Sequence, residues 1–321
     1  MKIAIIGTGS MGKNHVRVLK NIPEVNEIII SDINQKNLED TSKQFGISKK
    51  YQNYIKMLEK EKLDGVVVAT TPNSHKKIVL DVIKYETNVL VEKPIAHTIK
   101  DAEEMIKAAE KKHIIFTVGH VERFNPIITK IKDFIDNGSL NNIYLINTKR
   151  IGPFPKRLLG NAEGVLIDLA VHDFDIINYL GGEIKNIQSQ IIKSEGQEIY
   201  AKVLFDIGSK IKGSSEFSWI SPQMQRNIEI YGKEGMVFGD YYSQEVWFHE
   251  NDDYDNIKKN ETFFRNGLIK SGRTTKYPIY KQEPLFLELT NFIKSMQKKD
   301  KILVRPKDAL IVLKNALSIQ I

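Results

Sequence analysis

The stretch that most constrains this chain is its beginning. Met1 to Ile6 is a short apolar strand, Gly7-Thr8-Gly9-Ser10-Met11-Gly12 is a glycine turn, and Lys13 to Lys20 reads as a helix. Glu27 to Ser31 is a second apolar strand, and Asp32 follows it. A GxGxxG pattern alone says little. Strand, glycine turn, helix, strand and acid in that order is the context that gives it meaning. Gly7 permits the tight turn, Gly9 lets backbone approach a pyrophosphate, and Gly12 lets helix and strand pack closely. The amides that open the helix, from Ser10 and Met11 onward, and its positive dipole end then face the phosphates. Asp32 lies about 20 residues past Gly12, where a carboxylate grips a ribose hydroxyl. The alternative is an ordinary strand–turn–helix with chance glycines, and an acid at that distance argues against it.

A chain of 321 residues is too long for one small core and suits two domains. No stretch approaches the ~20 apolar residues of a membrane span. The first residues lack a cleavage pattern and run straight into a strand, so a cytoplasmic protein is expected. The absence of cysteine excludes disulfides and thiolate zinc sites. The net charge is +7, but the lysines are scattered among glutamates, as in Glu59 to Lys62 and Glu103 to Lys112. That is the pattern of solvated helix faces and not of a phosphate-tracking stripe, so neither a nucleic acid nor a membrane is an expected partner. A basic cleft for a small anionic substrate needs only a few such residues.

After Asp32 the chain alternates. Helical stretches at Gln35–Phe45, Asn53–Lys60, from after His75 to Tyr85, and at Ile99–Lys111 separate apolar runs at Asp64–Ala69, Asn88–Val91 and Ile114–Val118. Continuous apolar runs are strands covered on both faces, so the pattern predicts an α/β doubly wound parallel sheet, a Rossmann domain. Ligands of such sheets lie beyond the carboxyl ends of the strands. Those ends carry Gly7, Asp32, the loop Thr70-Thr71-Pro72-Asn73-Ser74-His75, then Glu92-Lys93-Pro94, and Gly119. Lys93 leaves a buried strand at the ligand edge and precedes Pro94, which biases it toward an extended or turn conformation. A partly desolvated lysine there can hydrogen-bond a substrate hydroxyl and exchange protons. An ordinary surface lysine at a strand end is the alternative.

The expected domain boundary follows residue 120, with the first domain at 1–120 and the second at 121–321; a final helix can return to the first. In the second domain Asn125 and Pro126 open a helix to about Asp136, and Asn142 to Arg150 alternates like a strand. Read as a helix, Gly164 to Asp175 places Asp168 and His172 one turn apart on one face, with Asp175 further on. A carboxylate and an imidazole so placed suit acid–base work. Asp168, His172 and Asp175 are also residue types that can ligate a metal. Nothing pairs with them elsewhere, and no metal is expected. From Ile184 onward six strands are expected, at Ile184–Ile192, Glu198–Asp206, Ile211–Trp219, Arg226–Gly232, Met236–Tyr241 and Glu245–His249. Gly-containing turns between them point to an open, mainly antiparallel sheet in an α+β domain. One face of that sheet needs a cover that a second copy of the chain would supply, giving a homodimer or homotetramer. Residues 250–282 read as a long loop, and Glu283–Gln297 and Pro306–Ile319 as closing helices.

These pieces together resemble the Gfo/Idh/MocA family of NAD(P)-dependent sugar and polyol oxidoreductases. The resemblance rests on the glycine loop, the Thr70–His75 loop, Glu92-Lys93-Pro94 and Asp168-x3-His172-x2-Asp175, and it spans essentially the whole chain. It implies a Rossmann domain followed by an open-sheet domain, and catalytic residues at Lys93, Asp168 and His172. It also implies a cofactor held by Gly7, Gly9, Ser10, Met11, Gly12, Asp32, Thr70, Thr71, Pro72, Asn73, His75, Glu92 and Lys93. Asp32 repels a 2′-phosphate, which favours NAD, while Lys36 leaves NADP open. The run from Gly119 to Pro126 resembles the nucleotide-sugar branch. It implies oxidation at C3 of UDP-N-acetylglucosamine, with UDP-N-acetylglucosaminuronic acid or a free polyol such as inositol as alternatives. Substrate contacts are then expected from Lys93, Arg123, Asp168 and His172. Arg123, Arg150, Arg157, Arg265 and Arg273 are candidates for the diphosphate. Whether Lys93 or His172 is the base stays open, and a non-enzymatic NAD-binding regulator is the alternative of another class.

Overall fold

The computed structural model describes residues 1–155, 164–251 and 272–319. They divide into two units: Met1–Phe124 with Gln282–Lys314, and Asn125–Lys281 with Asn315–Ile321.

In the first unit, β1 (Lys2–Ile6), β2 (Glu27–Ser31), β3 (Lys50–Tyr51), β4 (Gly65–Val68), β5 (Asn88–Glu92) and β6 (Phe116–Gly119) form one parallel sheet in the order β3-β2-β1-β4-β5-β6. Between them run α1 (Ser10–Leu19), α2 (Gln35–Phe45), α3 (Tyr54–Lys60), α4 (Pro72–Lys84) and α5 (Ile99–Lys112). Val66–Val68 and Val89–Val91 are buried completely, as strands covered on both faces must be. The strand order reverses between β1 and β4, and the glycine loop leaves β1 at that reversal, where doubly wound sheets open a crevice.

The first unit is completed from the far end of the chain. In α8 (Pro284–Met296), Leu285, Leu289, Phe292 and Ile293 join Ile3, Ile5, Val16, Leu19, Ile30, Val67 and Leu90 in one apolar core. Gly65 lies so close beneath this helix that a Cβ there would stand 2.9 Å from Met296 Sδ. Arg17 pairs with Glu283, and the Thr117 hydroxyl donates to Val304 O (2.8 Å). The boundary drawn from sequence placed 121–321 in the second domain, with a final helix able to return to the first. The segment Gln282–Lys314 lies instead with the first, because the apolar face of α1 needs that cover. Its last helix, α9 (Pro306–Ser318), begins within this segment.

The second unit is built on an eight-stranded sheet of β7 (Ile143–Pro153), β8 (Ile184–Ser194), β9 (Gln197–Ile207), β10 (Ile211–Ser218), β11 (Ile220–Gly232), β12 (Gly235–Asp240), β13 (Glu245–Glu250) and β14 (Thr274–Tyr277). Its order is β14-β13-β12-β11-β7-β10-β9-β8, and among these neighbours only β7 and β10 run parallel. Strand β14 falls in the segment read as a loop. It is short and polar, and pairing with β13 defines it, helped by the Lys276–Glu245 ion pair (2.6 Å). Helices α6 (Pro126–Asp136) and α7 (Val171–Gly181) pack on one face, where Phe174 meets Phe205 and Phe217 edge-on. Along β9 the alternation is plain: Ala201, Val203 and Phe205 are buried, whereas Leu204 is 51% exposed on the opposite face beside β8, whose Ile192 is 49% exposed. Among the described residues no helix is long and apolar enough to cross a membrane.

Candidate functional site

The glycine loop has the geometry a dinucleotide needs. Gly7 sits at φ +95°, a region that disfavours side chains, and a Cβ there would lie 2.6 Å from Ala69 O. A Cβ on Gly12 would lie 1.9 Å from Gly7 O, so helix and turn touch backbone to backbone. Gly9 differs: nothing lies within 4 Å of where its Cβ would be, so its side of the loop is open. As N-cap of α1 it supplies no side-chain acceptor, which leaves the opening amides at Ser10 and Met11, both exposed, to a ligand. Asp32 Oδ2 accepts from the Thr8 N–H (2.6 Å) and hydroxyl (2.9 Å), and Oδ1 from the Asn34 N–H (2.8 Å). A carboxylate has about four acceptor positions, so one is left for a ribose hydroxyl. Lys36 is exposed on α2. The pocket residues therefore fit a dinucleotide.

Beside this loop, Thr71 and Asn73 are exposed and Thr70 and Pro72 half-buried at the start of α4. His75 was expected to line the cofactor cleft, but it is fully buried. Its Nδ1 lies 3.0 Å from Pro94 O and its Nε2 3.0 Å from Thr70 O. Burial pushes the imidazole down against the pull of those carbonyls, so the ring is neutral and donates to one of them. It is a brace between the loop after β4 and the turn after β5.

That turn carries Lys93, half-buried after β5, with a cis peptide to the buried Pro94. Glu92 before it is buried, accepts from the Lys93 N–H on Oε2 (3.3 Å), and meets His15 Nε2 at Oε1 (2.7 Å). Glu92 was expected to touch the cofactor, and its carboxylate is turned inward to His15. His15, absent from the sequence reading, is fully buried on α1. The signal that would have found it is an imidazole one turn past Gly12 on the helix face that buries Val16 and Leu19.

In the second unit Asp168 is buried in a π-helical turn, Leu166–Ala170, and half-buried His172 opens α7. The single α-helix expected from Gly164 to Asp175 is thus interrupted. A π turn closes one residue later than an α turn, which rotates Asp168 away from strict i, i+4 stacking; such turns recur at functional sites. Asp175 is buried on α7. What pins this helix is a pair outside the expected pattern: Arg150 of β7 donates from Nε (2.9 Å) to Asp173 Oδ1, and its guanidinium lies over the Tyr241 ring. Removing one partner strands a buried charge, so Asp173→Ala is expected to lower stability by about 3–5 kcal/mol in denaturant unfolding.

The arginines sort clearly. Arg150 is committed to Asp173. Arg123, expected at the substrate, is buried and donates from Nη1 to Asp308 (3.1 Å) and Leu303 O (3.2 Å), a structural ion pair inside the first unit. Asp308 is held below the usual carboxylate range, burial being outweighed by Arg305 and Arg123. Arg273 is exposed, and Arg157 and Arg265 lie outside the described residues.

Comparison with known proteins agrees with this architecture. Residues 1–120 match the model of an oxidoreductase family with an NAD-binding Rossmann fold, and residues 128–238 match that of the GFO/IDH/MocA C-terminal domain. The myo-inositol 2-dehydrogenase of Thermotoga maritima is 27% identical over 251 residues, 75% of each chain. Among solved structures, UDP-N-acetylglucosamine 3-dehydrogenase from Acidithiobacillus ferrooxidans superposes with a TM-score of 0.84 at 17% identity, over 99% of this chain and 96% of that one. The WlbA dehydrogenase from Bordetella pertussis, in complex with NADH and UDP-GlcNAcA, gives 0.82 at 18% identity, over 100% and 94%.

Proposed function

We propose that this chain, which belongs to the Gfo/Idh/MocA family of oxidoreductases, oxidises a ring hydroxyl of a sugar to a ketone, with C3 of UDP-N-acetylglucosamine as the substrate position. The observation that carries the reaction is the pairing, on one sheet edge, of a dinucleotide-shaped glycine loop with the braced turn that presents Lys93. The substrate rests on the segment Gly119 to Pro126 and its resemblance to the nucleotide-sugar branch. A second reading, a cyclic polyol, is favoured by the inositol dehydrogenase relative.

NAD supplies the hydride acceptor: the CH–OH group loses a hydride and a proton, leaving C=O, NADH and H⁺. The chain does the rest. The opening amides of α1 receive the pyrophosphate, and Asp32 accepts from the adenosine ribose. Lys93 hydrogen-bonds the reacting oxygen, His172 takes the hydroxyl proton, and Asp168 orients the sugar. Incubating the protein with NAD and a panel containing UDP-N-acetylglucosamine, UDP-N-acetylglucosaminuronic acid and myo-inositol, with NADH absorbance and product mass spectrometry as readouts, tests both readings. Turnover of myo-inositol alone overturns the nucleotide-sugar assignment, and turnover of none overturns the dehydrogenase.

Asp32 sets the cofactor. A hydrogen bond to a charged group is worth about 1.5–3 kcal/mol. Asp32→Ala is therefore expected to weaken NAD binding about tenfold to a hundredfold and to raise the NADP-to-NAD preference ratio, read by titration calorimetry with each cofactor.

The sheet face opposite α6 and α7, with Leu204 and Ile192 exposed, is assigned to contact with a second copy of the chain. Light scattering is expected to show a dimer or tetramer, and Leu204→Glu to shift it toward monomer.

A further inference from the structure

A carboxylate buried at a strand end is unfavourable by several kcal/mol unless it is paired and hydrogen-bonded. Glu92 is only 8% exposed, yet Val89, Leu90 and Val91 before it on β5 are apolar and fully buried. An apolar residue would satisfy packing at this position, because replacing a buried ion pair by well-packed hydrophobic groups is often neutral or stabilising. The carboxylate is kept for its contacts. Oε1 meets His15 Nε2 at 2.7 Å and Oε2 accepts the Lys93 N–H at 3.3 Å. Gly119 on the neighbouring strand makes room, since a Cβ there would stand 3.0 Å from Oε2. Burial pushes the Glu92 carboxyl up, but the His15 hydrogen bond and the charges of His15 and Lys93 outweigh it and hold the group below the ordinary carboxylate range. The negative charge thus stays beside Lys93. His15 is itself fully buried, and its Nδ1 meets no hydrogen-bond partner among the described residues, so the ring serves through Nε2. On the other side of Lys93, His75 braces Pro94 O.

We propose that His15 and Glu92 are a buried positioning pair that seats Lys93, linking the helix of the glycine loop to the turn that presents the lysine. The seating is a claim about geometry. Its consequence for turnover rests on the assignment of Lys93 to the reacting oxygen. A misplacement of about 1 Å can lower a rate by about 10²-fold.

The two claims separate in one set of variants of the full chain. The lysines are reductively methylated with ¹³C, the Lys93 signal being assigned by its loss in Lys93→Arg. In Glu92→Gln and His15→Ala the Lys93 methyl signal is expected to move. His15→Gln, which keeps an N–H donor, is expected to return it toward its original position. A Lys93 signal unmoved in both Glu92→Gln and His15→Ala overturns the proposal. If His15→Ala fails to fold, the shape-conserving Glu92→Gln decides alone. In parallel, turnover is followed with NAD and UDP-N-acetylglucosamine or myo-inositol. The expected result is a kcat about 10²-fold lower in Glu92→Gln with an unchanged KM for NAD. Equal losses in kcat and NAD affinity would make Glu92 a cofactor ligand and overturn the pair. A moved signal together with an active Lys93→Met variant leaves the seating intact and sinks only the role given to Lys93.

Discussion

Lys93→Met is expected to lower turnover by about 10²- to 10⁴-fold, the usual worth of a positioned acid–base group, while NAD still binds. Methionine keeps the length and apolar stem of lysine and removes only the ammonium. The groups shaped for the dinucleotide, the α1 amides and Asp32, lie on other turns of the same sheet edge and are untouched. Calorimetric NAD binding near that of the original protein, together with lost NADH formation, is the expected result. His172→Ala is expected to cause a loss of the same order by removing the imidazole proposed as proton acceptor. Near-normal turnover in Lys93→Met with NAD bound would remove the proton chemistry assigned to this turn.

A pair of glycine substitutions is expected to separate folding from cofactor binding. In Gly12→Ala the new methyl would stand 1.9 Å from Gly7 O and 2.9 Å from Gly7 C, and both are backbone atoms. Relief requires the loop and α1 to part, so stability falls by about 1–3 kcal/mol, as for overpacked cores, and NAD affinity falls with it. In Gly9→Ala the methyl enters open space, and the backbone there is at φ −68°, which alanine adopts freely. Stability is expected to stay within about 0.5 kcal/mol of the original, as for surface changes. NAD affinity is expected to fall all the same, because the methyl would stand on the open side of the loop, where the pyrophosphate is proposed to bind. Thermal unfolding and calorimetry on the two variants check this. A Gly9→Ala protein with undiminished NAD affinity would place the pyrophosphate elsewhere.

The parts legible in the sequence are those set by local pattern. Buried parallel strands are continuous valine and isoleucine runs, as in Val66–Val68, and the first sheet follows from them with its glycine loop and terminal acid. The strands of the second unit follow from alternation, as in β9. What escaped depends on contacts distant in sequence. His15 and Glu92 are 77 residues apart, and nothing in either segment marks the two as partners. Arg123 was a candidate for the diphosphate only as one of several arginines, whereas its partner Asp308 arrives 185 residues later. His75 follows an exposed loop and was assigned to the cofactor with it, although one further turn carries it inside. The π turn at Leu166–Ala170 has no distinct composition, and β14 is a strand only because β13 offers an edge.

The return of α8 to the first unit has a consequence for how the protein is made. A ribosome releases the glycine loop more than 250 residues before Leu285, Leu289, Phe292 and Ile293. Until then Val16 and Leu19 of α1 lack their cover, and the nascent Rossmann unit presents an apolar flank while the whole eight-stranded sheet is being synthesised. Such transiently exposed surface is what chaperones bind. The nucleotide-binding half thus reaches its mature packing only after α8 has been translated. A product that stopped before α8 would carry the whole glycine loop and still lack the cover of α1.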